Sequence, residues 1–599
     1  MAYSPPIAEL QFSLLQGTSA VTRGGGALDE DLLAAILEQA GSVASDVLLP
    51  LDKILDRSGA TYSLGKVTTA AGHRAAYDQF IGGGWSALSL PSQFGGQDLP
   101  LALNAACLEM WHAGSIGFTM GLLLNMAAAE TLHAHGTAAL QQTYLENIAT
   151  GRWGATMAIT EPNSGSDLSE IRTRAVERAD GSYAISGTKI FISYGEHDLT
   201  ENIVHLVLAR HDDAPEGTGG LSLFLVPKMV PQADGSLQPN DVQCLGIETK
   251  IGLHGSPTCT MAFGAGEAAT GWMIGAPNRG LACMFVMMNR ARLAVATQGV
   301  GIAERAFQMS YEYAAARLQG RINTEDQQQV PLIRHADVKR SLMKMRTLAA
   351  AGRCLMLAAA DAIDAARGAD TQTERTDNQA LADILTPVAK GFCTQAGVDA
   401  ADLAIQVHGG AGYVEESGVP QLWRDARVTT IYEGTNAIHA IDLLTRGIAG
   451  RNSARFNALQ EEFVTIASRL ANNPEQDLSH LGQVLSDACA DLSAAVEVSQ
   501  ATLKTDRHAA LAGATPLLEI VGLVAGASYL AAILDTCPPG HPLRARLREN
   551  FVFFALQLLP QTGALLAMIS AGRQSLAGVF HEFDKPVGVR ARGSNAFDG

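Results

Sequence analysis

Cysteine, charge and aromatic side chains are all scarce in this chain of 599 residues, and each scarcity removes a class of protein. The eight cysteines, at 107, 244, 259, 283, 354, 393, 489 and 537, form no CxxC pair and no His/Cys group with zinc spacing. That argues against a disulfide framework and a structural zinc site, and it fits reduced, buried thiols in a cytoplasmic protein. His254, His408 and His439 stand without partners at ligand spacing, so no metal is expected. Charged residues reach 17%, and 60 Asp+Glu against 43 Lys+Arg leave a net charge of -17. Binding to nucleic acid or to an anionic membrane needs clustered Lys and Arg, which this balance does not supply. The first twenty residues have neither a basic nor an apolar leader pattern, so no targeting segment is expected.

Long hydrophobic runs are lacking as well. The most membrane-like stretch, "AALAGATPLLEIVGLVAGASYLAAIL" at 509–534, is interrupted by Pro516 and Glu519. Its remaining run is shorter than a span needs, so a buried helix without stable membrane insertion is expected. Gly522 and Gly526 have the spacing of a close helix–helix contact.

What is present is apolar material, 47% of the chain, enough for large cores and for about three or four domains. Up to about residue 150 the apolar spacing is helical, as in "LDEDLLAAILEQAGSVASDVLLPLDKIL". From about 154 to 265 short β-branched segments bounded by Gly, Pro or Asp read as strands. Long helical patterns return near 280 and persist to 450, and an Ala-rich helical region follows. The expected fold is therefore mainly α with a central β domain. An N-terminal helical domain (1–153), a middle β-barrel or sandwich domain (154–278), a four-helix bundle (279–452) and an additional helical domain (453–599) make it up.

Four stretches carry chemistry. In "TTIYEGTNAIHA" (429–440) a β-branched run leads to Tyr432 and a lone acid, Glu433, followed by a Gly434 turn and a helix start. The acid is open to two readings there: a helix-start carboxylate favoured by the dipole, or a reactive group. "AITEPNSGSDLSEIRTRA" (158–175) has a Thr-Glu-Pro turn and small residues that bare backbone N–H groups, which suits an anion or the polar edge of a planar ring, or simply a turn. "GTKIFIS" (187–193) is a strand with Phe191 and Ser193, and "QVHGGAGYVEE" (406–416) has glycines that permit close backbone approach.

In this order and spacing the four stretches resemble the acyl-CoA dehydrogenase family over roughly residues 30 to 450. "GEHDLTENIVHLVLAR", "IGLHGSPTC", "MMNRARL" and "RLQGR" resemble its long bacterial members with an extra C-terminal helical domain, a subgroup that includes 3-(methylthio)propanoyl-CoA dehydrogenases. The resemblance implies a FAD enzyme that forms a trans-2-enoyl-CoA, with Glu433 taking the α-proton and the flavin N5 the β-hydride. The acyl group stays open among methylthiopropanoyl, short and medium chains. Thr160 and Ser193 are implied at the flavin's pyrimidine and N5 edges, Phe191 and Ile192 along its ring, and Thr435 beside it. Ser166 is implied at phosphates or CoA amides, and Asn289, Arg292, Tyr432 and Gly434 at the acyl-CoA. Arg317, Gln406, Gly409 and Gly410 would serve the adenine half of a FAD shared with a neighbouring subunit. Here "RLQGR" lacks the Phe-Gly usual after the arginine, and His408 replaces a frequent Phe. Ala291 stands where some relatives keep the base. Arg292 is open between tying its helix to the catalytic segment and contacting substrate. An electron-transfer flavoprotein is the implied acceptor and a homodimer the implied assembly, the added domain replacing contacts of a second dimer. The alternatives are an acyl-CoA oxidase using oxygen, and a DNA-associated or non-catalytic flavoprotein of this fold. The net charge argues against DNA, and the intact "YEGT" against loss of catalysis.

Overall fold

The computed structural model describes residues 3–19, 28–323 and 328–576, so the end of the region expected as a fourth domain lies outside the described residues. The N-terminal part is helical. Asp29 caps helix Glu30–Ser42 by accepting the Leu32 N–H at 2.7 Å, and Ser115 caps Ile116–His135 by accepting that of Phe118 at 3.3 Å. Helices Leu101–Gly114 and Ile116–His135 are apolar almost all round and correspondingly buried. One departure from the helical expectation is a hairpin, Thr61–Ser63 paired with Lys66–Thr68. Leu64 and Gly65 both take positive φ at its turn, and Val67 buries itself in the core of the β region.

The central sheet runs Val242–Ile247, Thr258–Phe263, Tyr183–Ser193, Ala269–Ile274, Leu221–Pro227, Ile203–His211, Gly154–Ala158, with Arg174–Glu177 joining Tyr183–Ser193 and Ile203–His211. Its eleven-residue strand Tyr183–Ser193 bulges where its register with Cys259 and Met261 slips.

Three long helices, Gly280–Ala316, Ala336–Arg367 and Gln372–His408, pack together, completed by the shorter Val419–Thr429 and Asn436–Asp442. The first and third touch backbone to backbone, because a Cβ on Gly299 would lie 2.0 Å from the Cys393 carbonyl oxygen and one on Gly397 2.8 Å from that of Gly299. The last part is again helical, from Ser453–Ala471 to Gln561–Leu576. Pro516 does not interrupt its apolar segment as expected: it lies in the first turn of Ala514–Thr536, where no N–H is needed. By length and composition Glu30–Ser58, Ala514–Thr536 and Arg544–Gly572 could each cross a membrane, but Ala514–Thr536 is mostly buried within the fold. Gly522 in it admits the Phe392 ring of Gln372–His408. All eight cysteines are free and buried.

Candidate active site

The β-branched run Thr429-Thr430-Ile431 closes a helix rather than forming a strand. The N–H groups of Ile431 and Tyr432 both donate to the Val428 carbonyl, at 2.8 and 3.1 Å. The next helix starts at Asn436, capped by Thr435, whose hydroxyl accepts the Ile438 N–H at 3.3 Å. Its first turn holds no acid, so Glu433 is not a dipole-stabilising residue of that helix. Glu433 and Gly434 form the turn between, with φ of 56° and 92°. A left-handed glutamate is strained, and such residues concentrate where the backbone is held for a purpose. Among the described residues the N–H groups of Glu433 and Gly434 have no acceptor.

The carbonyls of this turn are gripped from the bundle. Arg292 Nε donates to Glu433 O at 3.4 Å, and His439 Nε2 lies 3.2 Å from the same oxygen. Lys390 Nζ donates to Gly434 O and to Asn436 Oδ1, both at 2.9 Å. Arg292 is buried; it also donates to Asn289 Oδ1 at 3.2 Å and lies 3.9 Å from Asp442, so it ties its helix to the Glu433–Gly434 turn. Glu433 Oε2 is buried with no partner among the described residues. Burial pushes this carboxyl up to about 7, with Arg292 and Lys390 holding it back. Burial likewise pulls the Lys390 ammonium down to about 7, against the pull of Glu433. Tyr432 turns inward, and its hydroxyl donates to Gln298 Oε1.

A cavity of about 1500 Å³ has Arg292, which bonds this turn, in its wall together with Ala282, Phe285, Val286, Asn289 and Asp442, and none of the turn residues 432–435 lines it. Arg292 and Arg446 lie 6.0 and 5.2 Å from the Phe285 ring centre, so the wall joins an aromatic face to two cations.

A second group forms at the sheet bulge. Thr160 O accepts the Ile190 N–H at 2.9 Å, which lays the Thr-Glu-Pro loop along the strand bearing Phe191, Ile192 and Ser193. Ile192 is buried, whereas Phe191 is 59% exposed and held at a φ of 60°. The loop is braced by Glu161, which accepts from the N–H of Arg172 at 2.7 Å, the N–H and hydroxyl of Thr173 at 3.0 and 2.6 Å, and buried Lys189 at 2.8 Å. Ser166 is exposed at the loop's tip, while Ser164 is buried and bonds to the Asp167 carbonyl at 2.6 Å.

Arg317, Gln406, Gly409 and Gly410 are exposed and belong to neither group. Nothing lies within 4 Å of a Cβ built on either glycine. His408 is buried there, stacked on Tyr313 at 4.3 Å. The structure thus gathers Asn289, Arg292, Tyr432, Glu433, Gly434 and Thr435 at one place, Thr160, Phe191, Ile192 and Ser193 at another, and leaves the last four on the surface. Sequence reasoning missed Lys390, Gln298, Glu161 and Lys189. A signal existed for Lys390, a single cation inside the apolar helical stretch "ILTPVAKGFC".

Four family models match successive parts of the chain. They are acyl-CoA dehydrogenase N-terminal domain over 60–152, middle domain over 156–265, C-terminal domain over 278–449, and acetyl-CoA dehydrogenase C-terminal like over 458–579. A 3-methylmercaptopropionyl-CoA dehydrogenase of Ruegeria pomeroyi is 40% identical over 592 residues, 96% of this chain and 99% of that one. Among solved structures, Caenorhabditis elegans ACDH-11 in complex with C11-CoA superposes with a TM-score of 0.77 at 19% identity, over 93% of each chain. A Bacillus anthracis acyl-CoA dehydrogenase complexed with FAD superposes with a TM-score of 0.74 at 19% identity, over 93% of this chain and 91% of that one.

Proposed function

The chain belongs to the acyl-CoA dehydrogenase family, and from that premise we propose that it removes the α- and β-hydrogens of an acyl-CoA thioester, with Glu433 as base, FAD as resident cofactor and an electron-transfer flavoprotein as acceptor. The observation that carries this reading is the Glu433 carboxyl: buried, unpartnered at Oε2, on a left-handed turn, and held near the pH at which a base is most useful. The Ruegeria relative makes 3-(methylthio)propanoyl-CoA the first substrate to test, with short straight-chain acyl-CoAs next.

The second group of residues fits FAD. Phe191 offers an exposed aromatic face from a strained backbone position, beside the Thr160 and Ser193 hydroxyls, and the open Gly409-Gly410 surface suits the far half of a ligand shared between subunits. Bound there, FAD supplies the acceptor for the hydride of the β-carbon.

The chain's own residues do the rest. The α-proton passes to Glu433 Oε2 as the α-carbon keeps the electron pair of its C–H bond. Charge then gathers on the thioester oxygen, for which the free N–H groups of Glu433 and Gly434 are the available donors; one such preorganised donor contributes about 3 kcal/mol. Arg292 holds the Glu433 carbonyl, and with it the peptide that carries the Gly434 N–H, while Lys390 holds the Gly434 carbonyl of the next peptide. The cavity at Phe285, Asn289 and Arg292 provides room for the CoA portion.

The test is product analysis. With an artificial electron acceptor, the protein is expected to convert 3-(methylthio)propanoyl-CoA or butyryl-CoA to a product two hydrogens lighter, much faster than with oxygen alone. A mass unchanged across an acyl-CoA panel would overturn the reading, and turnover supported by oxygen alone would turn it to an oxidase.

A further inference from the structure

Lys390 is a buried cation that the reaction above uses only as a hydrogen-bond donor. Lys390 has no solvent exposure. Two of its three donors are engaged, by Gly434 O and Asn436 Oδ1, and Asn436 is itself held by Thr394 Oγ1 at 3.2 Å and by the Gly391 carbonyl at 3.4 Å, both on the lysine's own helix. A neutral donor could serve a carbonyl and an amide at lower desolvation cost, so the charge itself calls for an explanation. The charged and titratable groups around Lys390 are Glu433 in the turn, Arg292 on Gly280–Ala316 with Asp442 behind it, and His439, which burial and both cations keep neutral. From the C-terminal helices apolar Leu518 lies against the neighbouring Gly391, 2.7 Å from a Cβ built there. Glu433 is the anion in this set with a buried carboxylate oxygen, Oε2, that has no partner among the described residues.

We propose that Lys390 is a positioning residue for the base: its ammonium group fixes the left-handed Glu433–Gly434 turn through the Gly434 carbonyl, and its charge favours the carboxylate form of Glu433. Arg292 holds the Glu433 carbonyl, whose peptide carries the Gly434 N–H, and Lys390 holds the Gly434 carbonyl of the next peptide, so the turn is fixed on both sides of Gly434 while the N–H groups of Glu433 and Gly434 stay without an acceptor among the described residues. Because a neighbouring cation favours the carboxylate, losing Lys390 moves the ionisation of Glu433 to higher pH, by about one unit or more. The inference rests on Glu433 being the base.

The experiment is anaerobic reduction of the holoenzyme flavin by substrate acyl-CoA across neutral pH, comparing wild type, Lys390→Met, Lys390→Arg and Glu433→Gln. Lys390→Met is expected to raise the midpoint of the rate profile by about one pH unit, so the rate falls about tenfold on the acid side and least on the alkaline side. Lys390→Arg is expected to keep the wild-type midpoint even with a slower rate. A merely structural lysine would give an even loss at every pH with the midpoint unmoved, and that result overturns the proposal. If Lys390→Met yields no folded holoenzyme, Asn436→Ala decides: slower reduction with unchanged KM supports the clamp, and wild-type reduction overturns it. Glu433→Gln separates the failures. If it is reduced like wild type, the base reading falls and Lys390 with it; if it is inert while Lys390→Met keeps the wild-type midpoint, Lys390 alone falls.

Discussion

Glu433 combines a strained backbone with a carboxyl oxygen, Oε2, that is buried without a partner among the described residues, and neither helps the protein to fold. Since the group acts as a base only when ionised and burial holds it up to about 7, flavin reduction in the free protein is expected to rise with pH through about 7 and then level off. A rate that falls across that window, measured by stopped-flow bleaching, would contradict the assignment. Glu161 shows the opposite arrangement. Burial would raise it, but Lys189 and the hydrogen bonds of the Thr173 hydroxyl and the Arg172 N–H outweigh burial and leave it below the usual carboxylate range. Glu161→Gln strands buried Lys189 without its counter-charge, a loss of about 3–5 kcal/mol. The melting temperature should fall and FAD should be lost more readily on gel filtration, and retention of both would exclude this brace as the support of the flavin loop. In the sequence alone Glu433 stayed open between a helix-start acid and a reactive group, and the family resemblance, not its local pattern, made it the expected base. Glu161 passed there as part of a turn, because its four partners come from residues 172, 173 and 189 and only the fold unites them.

The elements matter through where they place the two cations at the Glu433–Gly434 turn. Arg292 and Lys390 belong to the helices that touch at Gly299 and Gly397. Gly299→Ala forces those helices apart, since its Cβ would meet Cys393 O at 2.0 Å, and it should cost about 2 kcal/mol as overpacking does. Chemical denaturation should detect that loss together with slower flavin reduction; a neutral outcome would mean that the crossing does not set the site. The helix leading to Glu433 is anchored by Asp425, which accepts the Leu253 N–H at 2.6 Å and which burial and Asp52 push up to about 7. Its charged form is disfavoured in the fold, so native stability contributed here falls as pH rises from about 4 towards about 7. Asp425→Asn, which keeps the acceptor, should raise the melting temperature at about pH 8 and have little effect at about pH 4. An equal change at both would contradict a buried acid. Long helices and β-branched strands were readable from periodicity over 10 to 30 residues. The Thr61–Thr68 hairpin and the unbroken Ala514–Thr536 helix were not. One depends on two positive-φ turn residues, and the other on Pro516 falling in a first turn, where its usual penalty vanishes.

At the scale of the whole molecule the two groups of candidate residues lie in different layers, Glu433 in the helical bundle and Phe191, Ile192 and Ser193 on the sheet, with Arg317, Gln406, Gly409 and Gly410 left open on the surface. A second copy of the chain is the partner proposed for that surface, so light scattering of the holoenzyme should give two chain masses. One mass with full FAD content would refute a shared site, and four would refute the proposal that the C-terminal helices replace a second dimer. The central claim is that Glu433 drives dehydrogenation of an acyl-CoA at a bound flavin. Anaerobic titration of the purified protein with 3-(methylthio)propanoyl-CoA and butyryl-CoA, wild type beside Glu433→Gln, tests it most directly. The expected result is bleaching of the flavin absorbance in wild type and its loss, by about a thousandfold in rate, in the variant. Equal bleaching in both would show that another group takes the α-proton, and a wild-type flavin that no acyl-CoA bleaches would contradict the proposed function itself.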